Sequence, residues 1–121
     1  MATTPVDLYA FGNLARPRPP RPGKDILPDV AGMVGPEHPP LPSGASAFAD
    51  VVQSMLSGHY HVLLQGTDLP PGIAVVADGV DVDAKYPHPP THHTLYPAIR
   101  MPLDTFIDLI LNLPWQYVGR K

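Results

Sequence analysis

Eighteen of the 121 residues are proline, about three times the usual share. Each one removes a backbone donor, fixes its own φ and pushes the preceding residue out of the helical region. Half of them fall within residues 14–42, so that span can hold no long helix or interior strand. The sequence therefore predicts short elements joined by stiff connections, with 14–42 as a long Pro-rich surface loop. Between the proline clusters the apolar residues are dense enough for one core, and 121 residues suit a single compact domain over 1–121.

Period-two and period-3.6 patterns mark the elements. Val6 to Phe11, closed by Gly12 and Asn13, reads as a first strand. Phe48, Val51, Val52, Met55 and Leu56 recur at helical spacing after Ser43 or Gly44 and before Gly58, which predicts a first helix. Tyr60 to Leu64 alternates as a strand, Ile73 to Ala77 reads as a buried strand, and a further strand falls near His92 to Tyr96. Asp78 to Asp83 reads as a polar hairpin and Tyr86 to Pro90 as a second Pro and His loop. Leu103, Phe106, Ile107, Ile110 and Leu111 form a second helical stripe that stops before Pro114. The fold class expected is α+β, with two helices and several short strands.

Charge and composition exclude several function classes. Eleven acidic residues outnumber eight basic ones, for a net charge of -3, so no chain-wide basic field is present to hold nucleic acid. Without cysteine there is no disulfide framework, thiolate nucleophile or Cys-based zinc site. The N-terminus carries no basic and apolar leader, and no run reaches the length of a membrane span, so a cytoplasmic location is expected. His59 and His61 share a strand face, and with His88, His92 or His93 a His-only metal site can be drawn, but no carboxylate stands at ligand spacing. No metal is expected. Arg16 to Pro22 fits the Arg-x-x-Pro-x-x-Pro pattern of polyproline ligands, a pattern frequent by chance in such loops.

Three words in order carry the sharpest signal: Gly66-Thr67-Asp68-Leu69-Pro70-Pro71, then Thr91-His92-His93-Thr94-Leu95, then Leu103-Asp104-Thr105-Phe106. Leu8-Tyr9 and Gly44-Ala45-Ser46-Ala47-Phe48 precede them. Together they resemble the ADP-ribosyltransferase-like toxins typified by the second exported effector of the type VI secretion system. The resemblance implies an ADP-ribosyltransferase core, two small sheets that clamp NAD as substrate. It implies a cytotoxic effector acting in a target-cell cytosol as a mono-ADP-ribosyltransferase or NAD glycohydrolase. A cognate immunity protein or antitoxin and an unknown acceptor are the implied partners.

On that resemblance Ser46 and His92 are the catalytic candidates, and Tyr9, Ser46 and His92 face the NAD. In a strand His92, Thr94 and Tyr96 share one face and His93 and Leu95 the other, so a single histidine can face a given cleft. By residue type alone Ser46 also reads as a helix-start hydroxyl and His92 as a loop-edge histidine bonded to backbone. Ala10 stands where the family has Arg and Ala45 where it has Thr, which leaves Arg16, Arg18 and Arg21 as the phosphate-binding candidates. Glu37 is the single glutamate and lies among prolines, and Asp104 and Asp108 read as a helix N-terminal charge and a solvated face. A non-catalytic interaction domain on the same scaffold is the alternative reading.

Overall fold

The computed structural model describes residues 2–36, 44–51, 56–77 and 91–121. The elements run β1 (Leu8–Gly12), β2 (Met33–Val34), β3 (Ala45–Phe48), β4 (His59–Leu63), β5 (Ile73–Ala77), β6 (His92–Pro97), β7 (Met101–Pro102), α1 (Leu103–Leu111) and β8 (Gln116–Arg120). Six strands form one sheet in the order β5-β6-β3-β1-β4-β8, every pairing antiparallel. The remaining two, β2 and β7, pair as a separate antiparallel ribbon.

Alternation along each strand splits the large sheet into two faces. Leu8, Ala45, Ala47, Leu63, Ile73 and Leu95 point to the face covered by α1, where Phe106 and Ile110 complete the core with Ile26, Val34, Leu69, Met101 and Leu113. Phe106 is fully buried. The helix matches the 3.6-residue stripe closely, with Phe106 and Ile110 buried and Ile107 only half-buried. Its C-terminal end is closed by side chain and backbone, since Trp115 Nε1 donates to the Ile110 carbonyl at 2.9 Å.

The two-helix α+β expectation is corrected by the structure. Among the described residues there is one short helix against a six-stranded antiparallel sheet, a predominantly β architecture. The first expected helix begins instead as β3, with Ala45 opposite Leu95, Ser46 opposite Thr94, Ala47 opposite His93 and Phe48 opposite His92. This strand is interior and hydrogen-bonded on both sides, to β6 and β1. An interior strand covered on both faces loses the polar alternation that advertises a strand, so Ala47 and Phe48 are buried on opposite faces and read together as a helical stripe. Residues 52–55 of that stripe lie outside the described residues, as do the segments at 78–83 and 86–90.

The span 14–42 is also more structured than a surface loop, as far as it is described, to residue 36. Pro17 and Pro20 are buried, and Ile26 and Val34 belong to the core at 1% exposure each. Backbone donors of Lys24 and Asp25 turn back to the Arg21 carbonyl, so Arg16 to Pro22 is folded onto the domain and does not run as a free polyproline ligand. Asp29 pins the next turn: it accepts from the Ala31 and Met33 amides at 2.9 and 3.0 Å and from Arg100 Nη2 at 2.8 Å. The Arg100 hydrogen bond first, and the Met33 amide second, lower its pKa to about 2.

The word Gly66 to Pro71 is a structural fastening. Thr4 Oγ1 donates to the Leu64 carbonyl at 2.7 Å and accepts from the Thr67 amide at 3.0 Å. The Leu69 amide donates to the Ala2 carbonyl at 2.9 Å, and the Leu69 side chain is a core member. The residues near the N-terminus are thereby sewn to the end of β4.

Candidate functional site

The face of the sheet turned away from α1 carries Tyr9 and Phe11 of β1, Ser46 and Phe48 of β3, Tyr60 of β4, and His92, Thr94 and Tyr96 of β6, as the strand registers require. Its middle is aromatic. Phe11 meets Phe48 edge-on at 6.3 Å between ring centroids and Tyr60 at 5.8 Å, while Tyr9 meets Tyr60 at 6.0 Å. His92 packs edge-on against Phe48 at 5.2 Å. Three of these contacts are T-shaped, an arrangement that ring quadrupoles favour, and together they make an aromatic layer, or floor, on this face.

One wall over this floor is made by two consecutive turns. At the end of β1, Asn13 Oδ1 accepts from the amides of Ala15 and Arg16 at 2.8 and 3.0 Å, the local bonding that makes Asn a turn former. The Asn13 amide donates to the Arg16 carbonyl at 3.0 Å and the Arg18 amide to the Phe11 carbonyl at 2.9 Å, so the chain doubles back along β1. Gly12 is what allows this approach, because a Cβ there would lie 2.3 Å from the Arg16 carbonyl oxygen and 2.6 Å from the Arg18 nitrogen. In the second turn the Asp25 carboxylate accepts from the Arg21 amide at 2.8 Å and from Arg21 Nε at 3.0 Å. That hydrogen bond and the accompanying ion pair raise the Arg21 pKa above its ordinary value.

Between the turns and the floor runs a cleft of about 260 Å³ lined by Phe11, Arg18, Pro20, Arg21, Asp25, Ala45, Ser46, Phe48 and Leu56. A second of about 280 Å³ shares Phe11 and Arg18 with it and adds Arg16, Asn13 and Ser57. Each by itself is smaller than the usual ligand pocket of about 300–1,000 Å³. The two clefts share Phe11 and Arg18 in their linings.

The structure brings some of the expected site residues together and separates others. Ser46 is exposed on the cleft wall, and among the described residues its hydroxyl has no hydrogen-bond partner. Arg16, Arg18 and Arg21 line the same pair of clefts, but Arg21 is held by Asp25, whereas the guanidinium groups of Arg16 and Arg18 have no partner among the described residues. His92 shares the Ser46 face, yet it is buried at 5% exposure behind its contact with Phe48 and is not on either cleft wall. Tyr9 is half-buried on that face, one strand from Ser46 and likewise off the walls. Ala10 points to the core side, so the family's arginine position cannot face this cleft in the present geometry.

Asn13, His61 and Asp25 were not singled out for this site from sequence. Asn13 followed by a proline cluster was a turn signal, but no local pattern tells that the turn returns to β1. Asp104 and Asp108 lie on α1, across the sheet from Ser46, and both are exposed. Glu37 lies outside the described residues. Among the described residues no group of three potential ligands could hold a metal ion, and none of the helices is long and apolar enough to cross a membrane.

An aromatic floor under an exposed hydroxyl, with arginines along one wall, defines a domain suited to a ligand that carries both flat rings and phosphate. A family model described as the Tse2 ADP-ribosyltransferase toxin matches residues 4–117, and the chain belongs to this toxin family. The resemblance carried by the sequence words is borne out by that match. No curated protein and no solved structure matches the chain.

Proposed function

We propose that this toxin uses NAD as its substrate in the double cleft, and that it breaks the bond between the nicotinamide nitrogen and ribose C1′. The bonding electron pair leaves with nicotinamide and neutralises its ring. The oxocarbenium-like sugar is then captured by an acceptor nucleophile, or by water, which gives up a proton. The observation that carries the reading is the meeting of Ser46, Phe11, Phe48 and Arg18 on one continuous cleft. The largely buried Phe11 and Phe48 rings give the cleft an apolar floor, the Ser46 hydroxyl offers a neutral partner for ribose, and the arginines a fork for the diphosphate.

His92 supports this site through Phe48 and the strand rather than from the cleft wall. Delivery into a target-cell cytosol, and neutralisation by an immunity protein or antitoxin of the producer, follow from toxin-family membership as part of the same proposal. Incubation of purified protein with NAD, followed by quantification of nicotinamide and ADP-ribose, tests it. Nicotinamide release that depends on Ser46 supports the reading, and absence of both binding and release refutes it.

One observation favours the alternative of a non-catalytic interaction domain. Among the described residues the one carboxylate on the cleft walls is Asp25, and Arg21 engages it. NAD that binds but is never cleaved, with or without candidate acceptor proteins, would support that alternative.

A further inference from the structure

The arginine turn does not hold its place by its own bonds alone. His61, in the interior strand β4 and only 2% exposed, reaches past the end of β1 so that its Nε2 lies 2.7 Å from the Asn13 carbonyl oxygen. A carbonyl can only accept, so Nε2 carries the proton and donates. The ring is fixed on its other side by Tyr117 of β8, edge-on at 5.4 Å between centroids. This bond spans 48 residues of sequence and ends on the residue whose own side chain holds the Ala15 and Arg16 amides. From the sheet interior to the cleft there is thus one continuous path: His61, Asn13, the turn backbone, Arg18.

We propose that His61 is a positioning residue that sets the Arg16 to Arg18 turn against the cleft, so that the Arg18 guanidinium meets the diphosphate of a bound dinucleotide. The inference rests on the reading of the cleft as an NAD site. Arg16 and Arg18 both have no ion-pair partner among the described residues, but of the two only Arg18 lines both clefts and shares one of them with Ser46, which makes it the arginine placed to meet an anion there. Arg21 is committed to Asp25 and serves the second turn instead. A guanidinium acts on phosphate through a fork of fixed geometry, and a turn that drifts by an ångström loses the second bond of the fork.

The test combines affinity with an order measurement that needs no ligand. Calorimetric titration with NAD at low salt should show Arg18→Ala weakened about tenfold, the loss typical of a charged hydrogen bond. His61→Leu should weaken binding several-fold, and the Arg18→Ala, His61→Leu pair no more than Arg18→Ala alone, because both changes remove one interaction. His61→Gln, which keeps a donor, should recover part of the affinity. In the free protein, His61→Leu should speed hydrogen exchange at the Arg16 and Arg18 amides while the β3 and β6 amides keep their protection. Should His61→Leu not fold, His61→Asn, too short to reach the carbonyl, takes its place.

Additive losses in the double variant, or unchanged exchange in the turn, overturn the positioning role even when wild-type NAD binding is normal. A wild type that binds no NAD removes the functional reading and the role of Arg18 with it. The two failures are therefore distinguishable.

Discussion

Replacing Phe106 with alanine is the most direct test of how this domain holds its site. Phe106 is fully buried at the centre of α1 and is the largest of the fully buried side chains. It belongs to one core cluster with Leu8, Leu63 and Leu95, residues from three strands of the sheet, of which β1 also sends Phe11 to the cleft on the opposite face. Losing the ring forfeits its transfer free energy, about 2–3 kcal/mol, and leaves a cavity whose cost depends on how far the surroundings close in. Collapse is restricted here. The Leu103 amide donates to the Gly32 carbonyl at 3.1 Å at one end of the helix, and Trp115 caps the other. The loss should therefore fall in the middle to upper part of the usual range of about 3–5 kcal/mol. For a chain of 121 residues that lowers the melting midpoint by roughly 16–20 °C. Urea titration with thermal melts, and Ile107→Ala as a half-buried control on the same helix, provides the assay. A loss below about 1 kcal/mol for Phe106→Ala, or equal losses in both variants, refutes the reasoning.

The remaining expectations are narrower. Ser46→Ala should abolish nicotinamide release while the melting midpoint moves by less than about 2 °C, since the side chain is exposed, whereas His92→Ala should lose activity together with about 1–3 kcal/mol of stability because the ring is buried on Phe48. Equal melts for the two variants would count against this division. Asp29→Asn should lower the melting midpoint at neutral pH and lose that difference in acid. The depressed Asp29 pKa means its stabilisation is present above the unfolded value, about 3.9, and fades as pH falls through about 2. A difference that persists unchanged at pH 2 would contradict the ion-pair account. Gly44→Ala places a Cβ 2.0 Å from the Leu95 carbonyl oxygen of β6, so urea melts should show a loss above about 2 kcal/mol; a neutral result would mean that the β3–β6 edge can shift.

What the sequence determined by itself was the part whose causes are local. The stripe of Leu103, Phe106 and Ile110 needs only its own turns to declare a helix, and α1 lies where that stripe predicts. The strand at Ile73 to Ala77 and the alternation through His92 to Tyr96 were legible for the same reason, as was membership of the toxin family, written in short ordered words. The tertiary structure alone decided the rest. Ala45 to Phe48 became a strand because β1 and β6 offer ladders on both sides, a stabilisation that no window of neighbouring residues can express. The C-terminal strand β8 exists by pairing with β4, at a distance of some sixty residues. Arg18 and Ser46 line one cleft because Gly12 lets the turn approach β1 and His61 holds it there. Secondary structure governed by backbone sterics and periodicity can be read along the chain, but a cleft is a set of contacts between residues far apart, and only the packing of the sheet brings them together.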